Sequence, residues 1–173
     1  MSQQTENSMR KIFLSKVVLN MGVGKSGEPI EIGKKTLTQI TGKKPNLRNA
    51  KKSQRDWGIR KGEPIGVAIT IRDNDAIELL KRLLVAKDNK INGQSIDNEG
   101  NVSFGIKEHI DIPGIKYDPK IGILDLEVSI SLARAGFNVR LRSQNKSKVG
   151  KKHRVSKDDT IKFLTENFGV QVV

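Results

Sequence analysis

Ile65, Val67, Ile69 and Ile71 recur at every second position, with Gly66, Ala68, Thr70 and Arg72 between them. A side-chain period of two belongs to an extended strand that buries one face and leaves the other for something polar. One such strand cannot stand alone, so the chain must supply flanking strands and a layer to cover the Ile/Val face.

Both are present. Lys16–Met21 reads as a strand with Val17, Leu19 and Met21 on one side and Lys16, Val18 and Asn20 on the other, closed by Gly22-Val23-Gly24. Val102–Ile106 and Ile123–Leu132 alternate in the same way. Between them the period changes. Residues 30–41 place Ile30, Leu37 and Ile40 on one helical face and stop at Gly42. Asp73 stands as the N-cap of a helix carrying Ile77, Leu80 and Leu84, supported by Ala76 and Leu83. Ser156, followed by Asp158 and Asp159, opens a third helix whose stripe is Ile161, Leu164 and Phe168 and whose stop is Gly169. Residues 88–101 are turn-rich and commit to nothing. The expectation is a single domain over 1–173 of α+β class: a largely antiparallel sheet, helices packed on one face, the other face open, and extended basic loops.

Charge is distributed unevenly over this frame. The formal net charge is +13, yet residues 43–61 hold eight Lys/Arg against one Asp and residues 134–157 hold nine against no acid. Those two stretches sum to +16, so the remainder nets −3. Basicity concentrated this way points to a polyanionic partner rather than to general solubility.

Several chemistries are excluded or weak. The chain has no Cys, which removes disulfides, thiolate zinc sites and cysteine nucleophiles. Residues 1–10 carry no signal-peptide-like apolar run, and no apolar stretch reaches membrane-spanning length, which suits a soluble intracellular protein. Gly22-Val23-Gly24-Lys25-Ser26 after a strand resembles a phosphate-cradling loop, but Leu19 occupies the position where a Walker loop needs Gly. His109 and His153 lack the spaced partners of a metal site. His109 reads as a surface or packing residue, whereas His153, inside Lys151-Lys152-His153-Arg154, could add a phosphate contact. No catalytic residue, metal or cofactor is expected.

The first basic segment interleaves Lys43, Lys44, Arg48, Lys51, Lys52, Arg55, Arg60 and Lys61 with Trp57. The cations can neutralise phosphates and the ring can stack on an unpaired base. Trp57 is otherwise a core anchor, and Tyr117 and five Phe are the only other large rings. The second segment, with Arg140, Arg142, Lys151, Lys152, His153 and Arg154, shows no clean period over 137–154 and reads as a flexible basic arm reaching about residue 155. Phosphate contacts fix position without reading sequence, which favours shape recognition of folded RNA over base readout of duplex DNA. Composition alone leaves a general nucleic-acid-binding protein as the alternative.

The segments KVVLNMGVG (16–24), ITGKKP (40–45), AKKSQRDWGIRKGEPIG (50–66), 67–72, VSFGIKEHID (102–111) and HRVS (153–156) resemble, in order, the ribosomal protein L-five family of the large subunit. The basic insertion after Phe137 and the further helix resemble its archaeal and eukaryotic branch. The resemblance implies a cytoplasmic, non-catalytic component of the large ribosomal subunit, whose open sheet face meets 5S rRNA in the central protuberance, with further contacts to 23S-type rRNA. It also implies a loop reaching P-site tRNA and a bridge to proteins of the small-subunit head. Carried onto this chain, Lys16, Asn20, Thr70 and Arg72 fall on the non-core strand faces, and the tRNA-facing loop falls on Ser53 to Gly62, with Arg55, Trp57, Arg60 and Lys61. Two departures are visible. Lys43 stands where the family often has Gln, and Trp57 where it commonly has Phe.

Overall fold

The computed structural model describes residues 7–24, 26–115, 119 and 121–173. Lys25 of the Gly22–Ser26 turn, Tyr117 and the first six residues lie outside the described residues. In chain order the elements are β1 (Ile12–Gly22), α1 (Glu28–Thr41), β2 (Asn46–Asn49), β3 (Pro64–Ile71), α2 (Asp73–Val85), β4 (Lys90–Ile91), β5 (Asn101–Ile106), β6 (Leu126–Arg134), α3 (Asn138–Leu141), α4 (Lys157–Phe168) and β7 (Gln171–Val172). Five strands form one antiparallel sheet in the order β2-β3-β1-β6-β5, and β4 pairs with β7 in a separate parallel ladder. The α+β class and the antiparallel sheet are as the alternation predicts.

Val17, Leu19 and Met21 of β1, Val67, Ile69 and Ile71 of β3 and Val128 and Ile130 of β6 point to one side and are buried. Over them lie Leu37 and Ile40 of α1, Leu80, Leu83 and Leu84 of α2 and Leu164 of α4, all in one apolar cluster. Removing that surface from water contributes about 25 cal/mol per Å², which makes this aliphatic layer the main source of cohesion.

Three boundaries differ from the sequence expectation, each for a local reason. β1 starts at Ile12 because a bulge between Leu14 and Lys16 lets the consecutive apolar residues Ile12, Phe13 and Leu14 join the ladder with β6. β6 starts at Leu126 because Leu124 turns instead to His109: its amide meets His109 Nδ1 at 3.4 Å and its carbonyl accepts the His109 amide at 3.1 Å. That contact also gives His109 its packing role, fully buried. In α2 the cap position is Arg72, extended, while Asp73 enters the first turn at φ 61°. The buried stripe is Ala76, Leu79, Leu80, Leu83 and Leu84, and Ile77, expected inside, lies off-centre and 38% exposed.

α1 begins at Glu28 with Pro29 in its first turn and ends where Gly42, at φ 67°, turns its amide back to the Thr38 carbonyl at 2.7 Å. α4 carries the expected capping box: Ser156 Oγ accepts the Asp159 amide at 3.2 Å, and Asp159 Oδ2 accepts the Ser156 amide at 3.1 Å. Among the described residues no helix is long and apolar enough to cross a membrane.

Candidate nucleic-acid interface

The side of the sheet away from the helices is polar by register. Asn20 lies between Ala68 and Glu127, Val18 between Thr70 and Ser129, and Lys16 beside Ser131. β2 adds Asn46 and Arg48 opposite Ala68 and Gly66, and β5 adds Asn101 and Ser103 opposite Ser131 and Ser129. Thr70, Arg72, Arg48, Ser103 and Ser129 are exposed and Asn20 is partly exposed, with α3 flanking Arg72 at one end. Two hydrogen bonds hold donors and acceptors in place: Asn20 Nδ2 donates to Glu127 Oε2 at 2.8 Å, and Ser131 Oγ donates to Asn101 Oδ1 at 2.9 Å. Such a face offers fixed hydroxyl and amide groups at strand spacing, suited to sugar and phosphate edges.

The first basic segment is an ordered hairpin beyond β2 and β3. Gln54 and Ile59 exchange amide bonds of 2.8 and 3.0 Å, Gly62 donates to the Ala50 carbonyl at 2.9 Å, and Ser53 Oγ accepts the Lys61 amide at 2.9 Å. A tight helical turn over Arg55–Trp57 forms the tip, and Trp57 is 74% exposed, so it is no core anchor. Glu63 ties the base. The Ser26 hydroxyl and the Arg60 amide both donate to its carboxylate, and these bonds hold its pKa below the ordinary value. In the Gly22–Ser26 turn the Val23 and Gly24 amides both donate to the Ile65 carbonyl, at 3.0 and 2.9 Å. They are therefore spent on the fold rather than aimed at a phosphate.

The second segment, expected as a flexible arm, carries short local structure. α3 occupies its first turn, Ser147 donates its amide to the Val139 carbonyl at 3.2 Å, and a short turn spans Lys151–His153. Two of its cations find a partner in the body that sequence distance conceals, and a third bonds within the arm. Arg140 and Arg154 both reach Glu99, at 2.8 and 3.5 Å, and Arg142 Nε donates to the Asn145 carbonyl at 2.9 Å. His153 Nε2 lies 2.8 Å from the Ala135 carbonyl with its ring against the edge of Phe137. These contacts make His153 a fastening of the arm. Lys151 and Lys152 remain exposed.

The two basic segments sit at opposite ends of β1. The hairpin continues from the Gly22 end, the arm from Arg134 opposite Ile12, and eleven strand residues separate them by on the order of 35 Å. The open face spans the gap. At the arm end a cleft of about 450 Å³ brings Lys16, Arg72 and Arg140 together. Lys43 stands apart in an exposed ion pair with Asp75 of α2. Lys44 instead joins Lys34 and Lys35 of α1 in a groove along β2, a cluster that sequence distance hid. Among the described residues no group of three His, Cys, Asp or Glu side chains is placed to hold a metal.

Two family models cover most of the chain: ribosomal protein L5 over residues 7–60, and the C-terminus of the same ribosomal family over 64–163. The large ribosomal subunit protein uL5 of Nitrosopumilus maritimus is 61% identical over 172 residues, covering 99% of both chains. The chain belongs to the ribosomal protein L5 family. The uL5 protein of Cenarchaeum symbiosum is 55% identical, over 95% of this chain and 98% of its own. That of Pyrobaculum aerophilum is 50% identical, over 95% and 92%. These archaeal relatives agree with the branch that the insertion after Phe137 suggests. The two L5 models meet inside the hairpin, yet strands from both stretches alternate in one sheet.

Proposed function

We propose that this L5 family member binds 5S rRNA through the open sheet face and adjoining large-subunit rRNA through its two basic segments, in the central protuberance. Membership of the family makes the chain a structural constituent of the large ribosomal subunit, with rRNA as its partner, and not an enzyme. The observation that carries the finer reading is the largely polar face from Arg48 to Lys16 and Arg72, interrupted by Ala68 and Val18 and flanked at either end by cationic segments. A rigid polar surface with cations at its margins suits the shape and backbone of folded RNA. On this reading Asn20, Thr70 and Arg72 meet sugar and phosphate, while Lys51, Lys52, Lys151 and Lys152 neutralise phosphates. The projecting hairpin, with Trp57 at its tip and Arg55 and Arg60 beside it, is the part assigned to P-site tRNA and to the bridge with the small-subunit head.

The test is affinity for 5S rRNA against an unrelated folded RNA of equal length and against duplex DNA, at physiological salt. The expected result is a clear preference for 5S rRNA. Equal affinities would favour a general nucleic-acid-binding protein. Reversing Lys51 and Lys52 to Glu should weaken binding and reduce the slope of log affinity against log salt, because fewer counterions are released.

A further inference from the structure

The bulge in β1 has an effect that the basic residues do not share. Counting by twos from Val17, Leu19 and Met21 would put Phe13 on the buried face. The register shift between Leu14 and Lys16 sends Leu14 into the core instead and leaves Phe13, paired with Ala133, on the open face. There the ring is 46% exposed, an aromatic surface among hydroxyls and cations.

Phe13 lines the same cleft of about 450 Å³ as Lys16, Arg72 and Arg140, and Phe137 and Leu141 of the arm line it too. Leu141 is 76% exposed, so the cleft combines uncovered apolar side chains with cations. Glu99 also lines it, but that carboxylate already faces Arg140 and Arg154. The volume falls within the range of roughly 300–1,000 Å³ usual for small-ligand sites. A flat apolar ring beside convergent cations matches a nucleotide, whose base has a π face and whose phosphate is anionic.

We infer that this cleft takes a single unpaired nucleotide of the bound RNA, its base stacked on Phe13 and its phosphate held by Lys16, Arg72 and Arg140. The inference rests on the RNA-binding reading above and adds a base-stacking residue to it. The cations fix the backbone, while the ring demands a base that is out of the helix, so the site selects RNA by where it carries a bulge or an open loop.

The test is a series at one position in the full chain: Phe13→Ala, Phe13→Leu and Phe13→Tyr, with affinity for 5S rRNA measured across a salt range. Phe13→Ala should bind about ten-fold more weakly with an unchanged salt slope, because a lost stack releases no counterions. Phe13→Leu keeps apolar bulk without the π face and should show most of the same loss, while Phe13→Tyr should bind as the wild type does. Thermal melting checks the fold, and if Phe13→Ala unfolds, the Leu and Tyr pair decides. Wild-type affinity in Phe13→Leu and Phe13→Ala overturns the inference, as does a loss shared by Phe13→Tyr or accompanied by a reduced slope. An apolar protein segment seated on the cleft would leave RNA affinity unchanged throughout the series. If the wild type prefers an unrelated folded RNA, the 5S rRNA assignment falls, and the same series run on that RNA still decides the stacking site.

Discussion

Gly100 illustrates how a single atom can be constrained from two sides. It sits at φ 79°, and a Cβ there would lie 2.8 Å from both Cβ and Cγ1 of Val155, a fully buried residue. Its carbonyl meanwhile accepts the Leu132 amide at 3.0 Å, which leaves the backbone little freedom to shift. Gly100→Ala should therefore destabilise the protein by roughly 3 kcal/mol, backbone strain and overpacking combined, seen as a lower urea midpoint with unchanged m-value. Nothing near Gly100 in the sequence announces this, because Val155 is brought there by the fold. Asn20 and Thr70 were readable, since a period of two assigns a face without knowledge of the partner strand. Trp57 was not, because a ring among charged neighbours fits a loop tip or a core equally well until the hairpin is seen. Phe13 was hidden by its bulge, which inverts the parity on which that reading depends.

Helix α4 was legible almost completely because its signals are local: the cap, the first-turn acids and the terminal glycine lie within a few residues of what they act on. Burial alone would raise the Asp159 pKa, but the Ser156 amide and hydroxyl, with Arg134 at 2.8 Å, outweigh it and hold the carboxyl below the ordinary value. A depressed carboxyl stabilises the fold fully above its unfolded pKa, and that increment is lost as pH falls from the ordinary carboxylate range through the lower folded value. Asp159→Asn should accordingly lower thermal stability at neutral pH and show less additional loss on acidification from about pH 4, the ordinary aspartate range, downward. Ser156→Ala, removing one half of the box, should cost about 1 kcal/mol in urea denaturation. The contacts of the arm were illegible for the converse reason. Its fastenings to Glu99 and Ala135 are long-range, so the chain from 137 to 154 looks structureless when read alone. Glu99→Gln weakens both arginine contacts, and amide hydrogen exchange over 138–150 should quicken while the β1 and β6 amides keep their protection.

Four strands of the main sheet could be read from the sequence, but β2, β4 and β7 could not, and neither could the strand order. Alternation marks a strand and says nothing of its neighbours, so neither the central place of β1 nor the ladder between β4 and β7 was visible beforehand. That order joins the two stretches matched by the family models, because β1 and β2 from the first alternate with β3 and β6 from the second. A single unfolding transition is expected, in which circular dichroism and methyl NMR signals from α2 and α4 vanish at the same urea concentration; separate midpoints would indicate two units. The position of β1 also sets a clock for synthesis. Its β3 partner ends at Ile71, but its β6 partner ends only at Arg134. At translation rates of about 5–20 residues per second, one edge of the middle strand stays without its neighbour for on the order of ten seconds while the chain emerges. During that interval Val17, Leu19 and Met21 lie along an unpaired margin, and the nascent polypeptide is most prone to aggregate before residue 134 is made.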